Sequence, residues 1–147
     1  MKVIATNKRA LRGYEAVETY EAGLVLSGSE VKSLRAGHAE LKDAYAIVRE
    51  GEAWLVGMHI APYSFAREGG HEPERTRKLL LHKREIRRVA GLLSEKGLTL
   101  VPSRLVLKDG VVKLELVLGR GRAKYDKRRA LQEEEQRREM EQALRRR

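Results

Sequence analysis

The chain contains no cysteine, which excludes disulfides, thiolate metal sites and cysteine nucleophiles together. Aromatic residues are nearly as scarce, at 5% with Phe65 the lone phenylalanine, so a broad aromatic platform for stacking bases is not the expected binding mode. Long apolar runs are missing too. Met1-Lys2 opens no hydrophobic leader, and no stretch approaches the ~20 apolar residues of a membrane span. A soluble, cytoplasmic chain is therefore expected. Acidic charge is the remaining shortage. Against 21 Asp and Glu stand 31 Lys and Arg, and the resulting +10 favours a polyanionic partner, either nucleic acid or an acidic membrane surface.

What is present suffices for one core. Hydrophobic residues make up 41% of the 147, and a domain of that size buries roughly 68–70% of its unfolded surface. The charge is unevenly spread. From Gly119 to Arg147 there are 11 Lys and Arg against 6 Asp and Glu, so the last 29 residues carry as much net charge as the first 118. Two regions follow, a body over 1–118 and a basic tail over 119–147.

The body reads mainly as short strands. Residues 14–20 alternate, with Tyr14, Ala16 and Tyr20 on one side. Segments 44–50 and 53–60 flank a turn at Gly51-Glu52, and Trp54, Val56, Met58 and Ile60 form a period-two apolar face. A second hairpin joins 98–107 to 111–118 through Lys108-Asp109-Gly110, its return strand placing Val112, Leu114, Leu116 and Leu118 together. Pro102 marks an edge or bulge, since it cannot donate to a ladder. Two helices interrupt the strands. Ser27-Gly28-Ser29-Glu30 has the form of a capping box, with Val31 and Leu34 on one face and Gly37 as the stop. A second helix spans about 81–96, with Ile86, Val89, Ala90 and Leu93 as its stripe and Gly97 as its end. Five or six strands with two to three helices predict a mainly β, OB-like small antiparallel barrel, with an open α+β sandwich as the second choice. A loop over 66–77 is long enough to be functional or disordered.

Catalysis finds little support. His38, His59, His71 and His82 lie 21, 12 and 11 residues apart, without the spacing of a zinc site. Asp43 and Asp109 read as strand-entry and turn residues. Gly119-Arg120-Gly121 follows a strand, but a charged segment comes next instead of a crossover helix, so it reads as a linker and hinge. No metal and no cofactor are expected.

The tail is a different material. Glu133–Arg137, Glu134–Arg138 and Glu141–Arg145 are helix-favouring pairs worth ~0.2–0.5 kcal/mol each. Its few apolar residues cannot bury a face, so it is expected to be disordered or partly helical when free and to fold on a surface that captures it.

Five blocks then occur in order: NKRA (Asn7–Ala10), YEAGLVLSGSEVKSLRAG (Tyr20–Gly37), HIAPY (His59–Tyr63), RTRKLLLHKREI (Arg75–Ile86) and YDKR (Tyr125–Arg128). Together they resemble the SmpB family, the protein partners of transfer-messenger RNA. The resemblance implies an OB-like RNA-binding body and a non-enzymatic function, with no membrane involved. The chain would be monomeric when free, would bind the tRNA-like end of transfer-messenger RNA and would deliver it to stalled ribosomes for trans-translation. The tail would occupy the decoding centre, at small-subunit rRNA, and the empty messenger channel.

Carried over by motif, Glu21, Leu80 and His82 belong with RNA binding, as do Asn7, Lys8 and Arg9 of the first block. Gly121, Lys124, Tyr125, Asp126, Lys127 and Arg128 belong with the ribosome. Two departures stand out: Gly121-Arg122-Ala123-Lys124 replaces a frequent Gly-Lys-Lys, and His82 stands where some members have Asn. The residues themselves add Lys32 and Arg35, projecting away from the Val31/Leu34 face, and Arg75, Arg77 and Lys78 beside a helix start. Structured RNA is read through phosphate, 2′-OH and shape contacts that such side chains supply. Glu30 is left to its cap. Of Leu79, Leu80 and Leu81, at least one belongs to the core. The competing readings are another OB-type ribosome-associated RNA-binding protein, such as a translation factor, and an enzyme acting on RNA.

Overall fold

The structure, a computed structural model, describes residues 1–63, 70–94, 97–121 and 137–143. Its longest hairpin pairs β8 (Leu98–Lys108) with β9 (Val111–Gly121) through a two-residue turn at Asp109 and Gly110, both at positive φ. The expected apolar stripe Val112, Leu114, Leu116 and Leu118 is fully inside. Pro102 does mark a bulge, for the register shifts between Pro102 and Arg104.

Around this hairpin run β1 (Lys2–Thr6), α1 (Lys8–Gly13), β2 (Tyr14–Leu24), α2 (Gly28–Arg35), β3 (Ala39–Glu40), β4 (Tyr45–Arg49), β5 (Glu52–Val56), β6 (His59–Ile60), β7 (Arg77–Leu80) and α3 (Lys83–Leu93). Residues 137–143 form a further helix, α4, exposed throughout. Strands β8, β4, β5, β7, β2 and β9 hydrogen-bond in an antiparallel ring, with β1 added to β8 and a separate two-strand pair β3–β6. The ring agrees with the mainly β, OB-like expectation. The ring itself has six strands, within the five or six read from sequence; β1, β3 and β6 are additional, and the described residues contain four helices.

The extra elements were short ones. Six residues of α1 show no apolar period; the cue was Asn7, whose Oδ1 accepts the Ala10 N–H at 3.1 Å while Nδ2 donates to the Leu41 and Pro102 carbonyls. The loop expected over 66–77 ends earlier, because β7 begins at Arg77. Its part from 66 to 69 lies outside the described residues.

Two faces differ from expectation for a local reason. The β4–β5 turn uses Glu50-Gly51, and β5 buries Ala53 and Leu55 instead of Trp54 and Val56. Gly57 then shifts the phase by one, so Met58 and Ile60 are buried as expected. Gly57 sits at φ +83, and a Cβ there would stand 2.9 Å from the Asp43 carbonyl, which leaves only glycine at ease. On β2 a bulge between Ala16 and Glu18 leaves Ala16 exposed while Ala22 enters the core.

The two main helices form as expected. Ser27 and Glu30 make both bonds of the capping box, and Gly37 ends α2 at positive φ. On α3, Val89 is buried with Ile86, Leu92 and Leu93 packed on the core, but Ala90 is exposed. The chain break expected at 118 is also displaced. Gly119, Arg120 and Gly121 pair with Ala16, Glu15 and Tyr14, so they are strand and not hinge. A Cβ on Gly119 would stand 2.9 Å from that of Tyr14.

Candidate nucleic-acid interface

Three adjacent strands present one outward row. Leu79 is buried and Leu80 is 52% exposed, which decides the ambiguity of the leucine run. Leu80 pairs with Gly23 on β2, and Gly23 pairs in turn with Lys113 on β9. Because Gly23 has no side chain, Leu80 lies over its backbone: a Cβ there would be 3.2 Å from the Leu80 Cβ. The result is an apolar step beside a cation, a surface able to pack on a ribose or base while reaching a phosphate. Sequence reading did not single out Lys113. Its signal was the alternation of β9, which turns Lys113 outward between Val112 and Leu114.

Glu21 lies two residues along β2 on the same side, directly across from Glu115. Like charges facing each other are destabilising, and two cations answer them. Arg104 holds Glu115 through both carboxylate oxygens, at 2.7 and 2.9 Å, and the Lys108 Nζ stands 3.8 Å from Glu21. Glu21 and Glu115 also line a shallow open hollow with Thr19, Tyr20, Ser103 and Leu116.

Two residues beyond Leu80, exposed His82 is the cap residue that precedes α3, and Glu85 accepts the His82 backbone N–H at 3.0 Å. The helix is braced on β2 by Arg88, whose guanidinium donates to both oxygens of Glu18, while the Tyr20 hydroxyl donates to Glu18 as well. Those two donors, Arg88 first, hold the Glu18 carboxyl down at about 2. Burial, and then the bond to Glu18, pushes the Tyr20 phenol up to about 12.

Arg77 requires a correction. It was expected at RNA, yet it is 0% exposed, as is Glu30. Its Nε donates to Glu30, its Nη1 to the Met58 carbonyl at 2.7 Å and its Nη2 to the Pro73 carbonyl at 3.0 Å. Arg77 therefore ties β7 to α2, to Met58 just before β6 and to Pro73, and is withdrawn from the RNA contacts. Burial would raise the Glu30 carboxyl. Hydrogen bonds from Arg75, the Ser27 N–H and Arg77 outweigh it and bring Glu30 to about 2. Arg75 is half-exposed and also holds Glu30, at 2.6 Å. Asn7 is likewise a buried cap and leaves the contact set.

The other expected cations are spread out. Lys78 shares the outward side of β7 with Leu80 and bonds Glu52 at 2.9 Å. Lys32 and Arg35 are exposed on α2, the Lys32 Nζ 5.4 Å from the centre of the Tyr63 ring. Lys8 and Arg9 sit exposed on α1, with Arg9 3.8 Å from Asp43. Gly121 ends the β9 ladder. Lys124, Tyr125, Asp126, Lys127 and Arg128 lie outside the described residues. Among the described residues no group of three His, Asp or Glu could hold a metal ion, and no helix is long and apolar enough to cross a membrane.

Comparison with known proteins decides the family. The family model described as "SmpB protein" matches residues 4–146. The chain belongs to the SmpB family. Among SmpB relatives, an SsrA-binding protein of Sulfurihydrogenibium sp. (strain YO3AOP1) is 52% identical over 143 residues, covering 97% of this chain and 94% of the relative. Another, from Acidothermus cellulolyticus, is 54% identical over 146 residues, covering 99% and 92%. A solved structure described as "tmRNA-SmpB: a journey to the center of the bacterial ribosome" superposes with a TM-score of 0.67 at 47% identity, covering 79% of this chain and 82% of that one.

Proposed function

We propose that this chain binds transfer-messenger RNA and acts with it on the ribosome in trans-translation. Membership of the SmpB family, along nearly the whole length of named SsrA-binding proteins, carries the reading. The outward row of Leu80, Gly23 and Lys113 gives it a surface. The function is one of binding, in the cytoplasm and without catalysis. The tRNA-like domain is gripped by the body, through Glu21, Leu80 and His82, with Arg75, Lys78, Lys32, Arg35, Lys8 and Arg9 as surrounding charge. The tail, starting beyond the end of β9, engages the decoding region of small-subunit rRNA and the empty messenger channel. There Tyr125 stacks, Lys124, Lys127 and Arg128 meet phosphates, and Asp126 caps the helix that forms.

The test is binding of the full chain to the tRNA-like domain, against an ordinary hairpin RNA of equal length, followed by peptide tagging on stalled ribosomes. Preference for the tRNA-like RNA, with tagging dependent on the chain, is expected. Equal affinity for both RNAs and no tagging would overturn the reading. Replacing Tyr125, Lys127 and Arg128 together by Ala should spare binding to free RNA and abolish tagging. Normal tagging by that variant would remove the tail from the mechanism.

A further inference from the structure

Helix α3 turns Ile86, Val89, Leu92 and Leu93 toward the core. At 100° per residue, Lys83, Arg84, Arg87 and Gly91 fall on the opposite side, and all four are exposed. None of the three cations has an ion pair with a described residue, whereas Arg88, on the flank, is committed to Glu18. The same face works against the helix in three ways. Lys83 and Arg84 put positive charge on the first turn, where the helix dipole is already positive. Lys83 and Arg87 are four apart and Arg84 and Arg87 three apart, spacings at which like charges repel. Gly91 occupies a helical position that Ala would fill better, although a Cβ there would meet nothing within 4 Å. Glu85 is the one acid of that first turn and is spent on the His82 backbone N–H; among the described residues no carboxylate pairs with Lys83, Arg84 or Arg87, and local rules broken without such compensation mark functional surface.

We propose that this outward face of α3, Lys83, Arg84 and Arg87 with the bare step at Gly91, binds the ribose–phosphate backbone of transfer-messenger RNA. The proposal rests on the function above and extends it. Three cations unpaired among the described residues call for a polyanion, and Gly91 lets a strand lie close to the helix. From Lys83 to Gly91 the face runs about 12 Å at 1.5 Å per residue. It begins at Lys83, beside the cap residue His82 and three residues after Leu80, so it takes over where the outward row ends on β7. Glu18 and Arg88 are positioning residues: they brace the helix on β2 and set the direction of the track.

The experiment compares the full chain with Lys83→Gln/Arg84→Gln/Arg87→Gln, and separately with Gly91→Gln, on the tRNA-like domain of transfer-messenger RNA. The triple variant should unfold at the same or a higher temperature. It should bind at least about tenfold more weakly, and its log–log salt slope should be shallower by roughly 2, at ~0.7–0.9 per lost contact. Gly91→Gln should weaken binding severalfold with no fall in unfolding temperature. Unchanged affinity and slope in the triple variant, beside a wild-type chain that binds, would overturn the proposal. So would a large fall in its unfolding temperature, which would make the face structural. Full affinity for free RNA combined with reduced tagging would assign the face to ribosomal RNA and likewise overturn it. A wild-type chain that fails to bind the RNA would instead overturn the function on which the proposal rests.

Discussion

Arg77 and Leu80 stand three residues apart on β7, one buried against Glu30 and the other exposed over Gly23. Around Arg77 charge is answered: two arginines share one carboxylate, and a carbonyl accepts from each terminal nitrogen of Arg77. Around Leu80 and along the outward face of α3 the balance is open, with an apolar side chain in solvent and, at Lys83, Arg84 and Arg87, cations without an ion pair among the described residues. The difference lies in partners, not in residue type. Arginines with a carboxylate inside the fold hold α2 to β7, and the cations of α3 without one are those proposed above to meet the RNA.

The largest effect should come from breaking the inner corner. Glu30→Ala leaves Arg77 buried without its counter-charge and should cost about 3–5 kcal/mol in denaturant unfolding. A loss below about 1 kcal/mol would mean that the corner is not the fold's anchor. The same group gives a pH signature. Its folded value near 2 lies below the ordinary 4.5, so its contribution is full above 4.5 and disappears as pH falls toward 2. Thermal scans should show unfolding temperature falling across that window, and Glu30→Gln should flatten the fall. A variant with the wild-type acid profile would assign the acid sensitivity to other carboxylates.

Next in size is Asn7→Ala, which removes a helix cap worth ~1 kcal/mol and two further bonds to buried carbonyls. Stability should fall by about 2–4 kcal/mol, the cap together with ~1–3 for buried carbonyls left unpaired. Its RNA affinity, measured where it remains folded, should be unchanged. The smallest effect on stability belongs to Leu80→Ala, within roughly 1 kcal/mol because the side chain is already half in solvent. Its affinity for the tRNA-like RNA should nevertheless fall severalfold. Equal loss of stability and affinity would erase the contrast between the two regions.

Much of this was legible in advance where the signal is local. The Ser27–Glu30 box, the Val112–Leu118 stripe and the Pro102 bulge depend on neighbours in sequence and formed as read. The β5 face failed because Gly57 breaks the alternation that a period-two count extends through it. Arg77 failed for a longer-range reason. Its partner is 47 residues away, and a basic residue in a basic block looks free until the fold brings a carboxylate to it. The cations of α3 were missed in the opposite sense, since attention to the core stripe passed over the face behind it.

The contrast between answered and unanswered charge is tested most directly by lysine acetylation of the full chain, read by mass spectrometry with and without the tRNA-like domain of transfer-messenger RNA. Lys83 and Lys113 should be strongly protected by the RNA. Lys42, on the stretch between β3 and β4, should not change. Protection confined to tail lysines 124 and 127, with Lys83 and Lys113 as reactive as in the free chain, would contradict the account.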